Sequence, residues 1–163
     1  MRLNLLSFNA RGLNDPAATD SLQFYLKACQ PAPDIVYIQE HKRRGIALSS
    51  LGPALWRHAL SFGLDASPGY GNQDHEDGAG CGGVLTLLAP RWSHAVTASG
   101  SILDNRVQWV ILSGLPGGDL GIANVYAHNT PQERCHLWEA MTRDLPAQCR
   151  WLLLGDFNMV EAR

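Results

Sequence analysis

Lysine is almost missing from this 163-residue chain: Lys27 and Lys42 are the only two, and the other eleven basic residues are arginines. Positive charge is not in excess either. Thirteen Lys and Arg face fifteen Asp and Glu, for a formal net charge of -2 and a sequence pI near 6.3. That balance excludes, on composition, a strongly basic nucleic-acid binder. It does not exclude a nuclease, since cleavage needs local contacts and a metal rather than global charge. Cysteine is sparse and unpaired in pattern: Cys29, Cys81, Cys135 and Cys149 form no Cys-x-x-Cys, and Cys135 beside His136 is not a zinc-ligand spacing. Reduced, mostly buried thiols are expected. No apolar run reaches membrane-span length, and the opening MRLNLLSFNARG is too short and polar in its apolar part for a signal peptide. The expectation is a soluble, intracellular protein. Repeats and low-complexity tracts are also lacking. What is present is 45% hydrophobic and 17% charged residues, enough for a core and of a size for one domain.

The pattern along the chain is α/β. Arg2 to Phe8 reads as a strand that stops at Asn9-Ala10-Arg11-Gly12. A helix follows from about Asp15, with Leu22, Tyr25, Leu26 and Cys29 at helical spacing and Pro31 and Pro33 ending it. Asp34 to Glu40 is a buried strand rich in β-branched and aromatic residues. A further strand is expected within Pro53 to Phe62, then a glycine-rich loop to Gly83 holding Asp74-His75-Glu76-Asp77. Flexible flanks make that acidic cluster a solvated loop rather than a metal site. Gly83 to Leu88 and Trp92 to Ala98 read as strands, and Arg106 to Ser113 with Asp119 to Tyr126 as a hairpin. The best-marked helix begins at Thr130 (N-cap), with Pro131 in its first turn and Glu133 completing a capping box; Pro146 stops it. Trp151-Leu152-Leu153-Leu154 is a last apolar strand running into Gly155-Asp156-Phe157-Asn158. The five tryptophans fall within these patterns and are expected in the core.

Polar clusters directly follow four apolar strands: Asn9, Glu40, Tyr126 to Asn129, and Asp156 with Asn158. Asn, Asp and Gly also end strands for turn reasons alone, so any one cluster is ambiguous. Together their chemistry is coherent. Glu40 is a hard oxygen ligand of the kind Mg²⁺ accepts, water and a substrate phosphate filling the other positions. Asp156 and Asn158 suit activation of water and orientation of a phosphate. Asn9 could hold Glu40 or the phosphate, Tyr126 offers a phenol to a phosphoryl oxygen, and Asn129 adds a donor. Lys42-Arg43-Arg44 sits at the rim, where it would position a nucleic-acid backbone; an ordinary solvated charge run is the alternative.

Five segments in order then carry a resemblance: Ser7-Phe8-Asn9-Ala10-Arg11-Gly12-Leu13, Ile38-Gln39-Glu40-His41, Gly82-Gly83-Val84, Asn124-Val125-Tyr126-Ala127-His128-Asn129 and Gly155-Asp156-Phe157-Asn158. The chain resembles the endonuclease/exonuclease/phosphatase superfamily of deoxyribonuclease I-like enzymes. It looks most like the endonuclease domain of LINE-type retrotransposons, through Arg-Gly-Leu-Asn, Gln-Glu-His-Lys and Asn-Thr-Pro-Gln-Glu-Arg. The resemblance implies a four-layer α/β sandwich, of which residues 1–163 would be the N-terminal portion of one domain, C-terminally truncated. It implies Mg²⁺-dependent phosphodiester hydrolysis, with Mn²⁺ as alternative ion and DNA as substrate. By the same resemblance Glu40 is the principal metal ligand and Asn9 the metal-proximal asparagine. Tyr126 and Asn129 bind phosphate, Asp156 directs the attacking water, and Asn158 contacts the phosphate. A retroelement function would place the protein in the nucleus.

Three departures qualify this. Arg11 and His128 stand where several members carry an acidic residue and a proline, and no Ser-Asp-His motif is present. The expectation is therefore an impaired nuclease. A phosphatase or phosphodiesterase on the same scaffold is one alternative. A non-catalytic fragment with at most weak nucleic-acid binding is the other.

Overall fold

A computed structural model describes residues 2–67 and 81–159, with backbone alone at 104 and 105. The cluster Asp74-His75-Glu76-Asp77 lies outside the described residues. The elements are β1 (Leu5–Asn9), α1 (Pro16–Ala28), β2 (Ile35–Gln39), α2 (Gly45–Leu55), β3 (Leu60–Leu64), β4 (Val84–Leu88), β5 (Val96–Ile102), α3 (Leu103–Arg106), β6 (Val107–Leu112), β7 (Leu120–Tyr126), α4 (Pro131–Asp144) and β8 (Arg150–Asp156). They build two four-stranded sheets, ordered β1-β2-β4-β3 and β5-β6-β7-β8. Each sheet carries one parallel pair, β1 with β2 and β7 with β8, joined through α1 and α4 respectively; the other neighbours are antiparallel. A parallel pair needs a crossover connection, and the two helices supply it.

The layers follow from period-two alternation. In β2, Val36 and Ile38 face Leu22 and Leu26 of α1 and Leu51 and Leu55 of α2. Their neighbours Ile35 and Tyr37 face the second sheet, packing with Leu88, Val110, Leu112 and Ile122. In the second sheet Val107, Ala123 and Val125 face Leu137, Ala140 and Met141 of α4. The order is helices, sheet, sheet, helix: the four-layer sandwich. All five tryptophans pack against the margins of these cores, and Trp109 meets Trp151 edge-on with ring centroids 6.0 Å apart.

Four details differ from the sequence expectation. Residues Gly45–Leu55 form a helix carrying Pro53, and the strand starts only at Leu60, because Leu51 and Leu55 lie one turn apart and both reach the core. The segment Pro90–Ala95 is a 3-10 turn rather than strand: the Asp34 carboxylate accepts hydrogen bonds from both Arg91 and Trp92 and holds them there. Tyr25 faces solvent, 51% exposed, beyond the buried stripe of Leu22 and Leu26. No cysteine is buried: Cys29 and Cys149 are half-exposed, Cys81 and Cys135 exposed, since they stand at element ends or outward faces. The helix starts are as read. Asp15 caps α1 by accepting from the Ala17 N–H, and Thr130 Oγ1 accepts from the Glu133 N–H at 3.4 Å while donating to Glu133 Oε2 at 2.5 Å.

Between the sheets the apolar layer ends in a polar seam of Gln39, Thr86, Gln108 and Asn124, all buried. Gln39 Nε2 donates to Asn124 Oδ1 at 2.7 Å, and Asn124 Nδ2 reaches the carbonyls of Ile38 at 3.2 Å and Leu85 at 3.1 Å. One amide thus clasps two strands of the opposite sheet. At the other end of β2, buried Asp34 also accepts from the Asn4 N–H at 2.9 Å, so one carboxylate joins the lead-in of β1, the start of β2 and the lead-in of β5.

Two predictions follow from these polar anchors. Burial opposes ionisation of Asp34, but the Asn4 N–H, the Trp92 indole and Arg91 outweigh it and hold the carboxyl below its ordinary value of 3.8. Its contribution is therefore complete above that value and lost as pH falls through the lowered one. Asp34→Asn should cost about 2 kcal/mol in urea unfolding at pH 7, and the loss relative to wild type should shrink as the pH is taken down into that range. Asn124→Leu should cost about 2 kcal/mol by taking the acceptor from the Gln39 amide, while Gln39→Leu with Asn124→Leu should recover part of it, since the amide left without its partner is then gone. A double variant no more stable than the single one would show that the seam is not a pairwise clasp.

Candidate active site

The carboxyl ends of the parallel strands meet at one end of the sandwich. Asn9 closes β1, Glu40 follows β2, Tyr126 closes β7 and Asp156 closes β8. These are the strand ends from which the sequence places its polar clusters, and the two crossover units bring them to a single rim.

Asp156 is held through both of its carboxylate oxygens. Its Oδ2 accepts from Asn9 Nδ2 at 2.6 Å and its Oδ1 from the Asn158 N–H at 3.0 Å. Asn9 thus holds Asp156 and not Glu40, because β1 and β8 lie against each other across the two sheets. The other atom of the Asn9 amide, Oδ1, accepts from the Arg11 N–H at 3.0 Å. Asn158 does not simply lie alongside Asp156. It takes a left-handed backbone, φ 48°, and its Nδ2 donates to the Ala127 carbonyl at 2.7 Å, pinning the loop after β8 to the loop after β7. Gly155 makes that closeness feasible: a Cβ there would stand 1.9 Å from the Val125 carbonyl oxygen. Asn9, Asn129, Asp156 and Asn158 line one cleft of about 690 Å³, together with Ser7 and Gln39.

Glu40 lies beside this cleft on a tight turn built by its neighbour. His41 is fully buried; its Nδ1 accepts from the Arg43 N–H at 3.0 Å, which leaves Nε2 as the donor to the Leu64 carbonyl at 3.1 Å. Burial drives its pKa down to about 4, although carbonyls of Leu64 and Val84 favour the proton, so the ring is neutral near pH 7 and serves as a peg. The three basic residues after it separate. Lys42 Nζ pairs with Glu40 Oε1 at 3.1 Å. Arg43 turns inward, donating to the Leu13 carbonyl at 2.7 Å and to Thr19 Oγ1 at 3.2 Å. Arg44 is exposed at the start of α2.

Tyr126 senses both carboxylates. Burial first, then the charges of Glu40 and Asp156, raise its pKa, and Arg106 partly offsets them. The phenol therefore stays protonated, a donor toward an incoming oxygen. The Arg106 guanidinium lies over the Tyr126 ring, 5.0 Å from its centroid. Sequence reading did not single out Arg106; it stands at the entry to β6 with no motif around it, and only the β6–β7 pairing brings it to Tyr126. Asn129 is exposed, its carbonyl held by Arg134 at 2.7 Å. His128 is half-buried and pushed below its ordinary pKa by burial and by Arg106.

Backbone strain gathers at the same place. Arg11, Glu40, Lys42 and Asn158 all have left-handed φ, between 48° and 60°, a region costly for side chains with a Cβ. Such residues persist where the surroundings over-determine them, and this is common at functional sites. The donor set is hard oxygen: the carboxylates of Glu40 and Asp156 and the amide oxygen of Asn9. Among the described residues no group of three His, Cys, Asp or Glu could form a protein-only cage. That combination suits a divalent cation which keeps much of its water and takes one or two carboxylates, as Mg²⁺ does, and does not suit zinc.

No family model and no curated protein matches the chain in sequence. Solved structures do match in shape. An endonuclease/exonuclease/phosphatase family protein from Leptotrichia buccalis superposes with a TM-score of 0.66 at 12% identity, over 96% of this chain and 67% of that one. An AP endonuclease from Leishmania major gives 0.61 at 13% identity, over 93% and 53%. The endonuclease domain of TRAS1, a telomere-specific non-LTR retrotransposon, gives 0.57 at 15% identity, over 98% and 61%. The chain thus spans about half to two thirds of the length of the structures it matches. Two mixed sheets packed face to face between helices give this chain the α/β fold of those structures, the deoxyribonuclease I-like fold.

Proposed function

We propose that this rim hydrolyses phosphodiester bonds, with nucleic acid, DNA in particular, as the substrate. One observation carries the reading: a carboxylate, Asp156, held by Asn9 and by the Asn158 backbone at the mouth of a cleft whose other polar groups are neutral donors. With both its oxygens already accepting one hydrogen bond, Asp156 keeps a free lone pair in a fixed direction for the proton of an attacking water. The phenol of Tyr126 and the amide of Asn129 donate to the phosphoryl oxygens, and Arg106 adds positive charge behind Tyr126. Glu40, with the Asn9 amide oxygen, would hold Mg²⁺, or alternatively Mn²⁺. A cation bound there supplies Lewis-acid stabilisation of charge on the phosphoryl oxygens.

No histidine lines the cleft among its described residues. DNA is favoured over a small phosphate ester because exposed Arg11 and Arg44 follow closely on Asn9 and Glu40 and suit an extended anionic backbone. Support for a retroelement origin comes from the Arg11 to Asn14 and Gln39 to Lys42 segments and from the shape shared with the TRAS1 endonuclease domain.

The test is plasmid nicking beside phosphate release from inositol and lipid phosphates. Nicking in Mg²⁺, abolished by EDTA and reduced about 100-fold or more by Glu40→Ala and by Asp156→Asn, is the expected result. Phosphate release without nicking would make the chain a phosphatase. Binding of DNA without either activity would leave the non-catalytic alternative.

A further inference from the structure

We propose that Lys42 is an internal counterion for Glu40, which weakens cation binding at that carboxylate until a phosphate draws the ammonium away. This rests on the reading of Glu40 as the cation ligand and adds a coupling between cation and substrate.

The argument begins with the turn. Glu40 and Lys42 both have left-handed backbone, φ 56° and 60°, with buried His41 between them as the peg. The Lys42 N–H donates to the Gly82 carbonyl at 3.1 Å, which fixes where its side chain starts. Its stem then passes Gly12: a Cβ on Gly12 would stand 3.3 Å from Lys42 Cδ. From there Nζ comes to 3.1 Å from Glu40 Oε1. The chain has only one other lysine, Lys27, far away in α1. The following cation, Arg43, is spent on Leu13 and Thr19 and is not an exchangeable partner for Glu40.

The pair is suited to exchange. Lys42 is 31% and Glu40 20% exposed in their side chains, so water screens the attraction and its net worth is small. An ammonium is a compact point charge on a four-carbon stem and can turn to a new anion with little rearrangement, which a guanidinium forked onto the carboxylate could not do. A divalent cation approaching Glu40 meets this positive charge. A phosphodiester entering the cleft offers the ammonium another anion. Each event therefore eases the other, and by linkage the effect is reciprocal: the cation strengthens phosphodiester binding by the same factor.

The experiment is Mn²⁺ binding, read as the loss of the free-ion EPR signal, for the whole chain with and without a phosphorothioate oligonucleotide. Wild type should bind Mn²⁺ weakly alone and several-fold more tightly with the oligonucleotide. Lys42→Met should bind it about three- to tenfold more tightly than wild type without the oligonucleotide, and lose most of the coupling. Lys42→Arg should restore weak binding in its absence, which separates the role of the charge from that of the stem. Equal affinity in wild type and Lys42→Met, with binding abolished by Glu40→Gln, would overturn the counterion and leave the cation site standing. Absence of Mn²⁺ binding in every variant, including with oligonucleotide, would overturn both.

Discussion

The amide–amide contact between Gln39 and Asn124 is what the site depends on. Two sheets packed through apolar side chains alone can slide, because dispersion and the hydrophobic effect have little directional preference. A hydrogen bond of 2.7 Å between groups buried in the inter-sheet layer does not permit that freedom, and Asn124 adds two carbonyls of the opposite sheet. Gln39 immediately precedes Glu40, and Asn124 lies two residues before Tyr126. The clasp therefore fixes the relative height of the two strand ends that bear the carboxylate and the phenol. Inside a low-dielectric layer it must be fully matched or be a liability.

A second polar bond repeats the principle one step nearer the surface. Asn9 and Asp156 belong to different sheets, and their 2.6 Å contact ties β1 to β8 where neither has a strand on its other side among the described residues. The strand edges there also expose apolar surface, with Phe8 and Leu153 both 39% exposed. A structural clasp and the proposed catalytic carboxylate thus coincide in one side chain. The same economy holds at Glu40, whose strained turn is paid for by burial of His41 beneath it.

Electrostatically the rim is arranged as acceptor against donor rather than as a broad positive field. Glu40 and Asp156 are the two carboxylates, and burial, reinforced by their charges, raises the Tyr126 phenol above its ordinary value. Positive charge reaches the site from two directions, Lys42 on Glu40 and Arg106 on Tyr126. A chain of net charge -2 can present an anion-binding rim in this way without being basic overall.

The residue order by itself determined the strand–helix alternation and the four polar strand ends. Leu22 and Leu26, Thr130 with Pro131, and the apolar Trp151 to Leu154 carry those signals locally, as does each segment that resembles the superfamily. It misjudged the start of the strand expected within Pro53 to Phe62, where short-range apolar content does not distinguish the end of a helix from a strand, and Pro90–Ala95, where a distant Asp34 overrides local preference. Only the tertiary structure decided that Asn9 serves Asp156 rather than Glu40, that Arg43 turns inward while Lys42 turns to Glu40, and that Arg106 meets Tyr126. The reason is physical: a hydrogen-bonding side chain is specified by its partner's position, and those partners are brought within reach only when two sheets from distant parts of the chain close on each other.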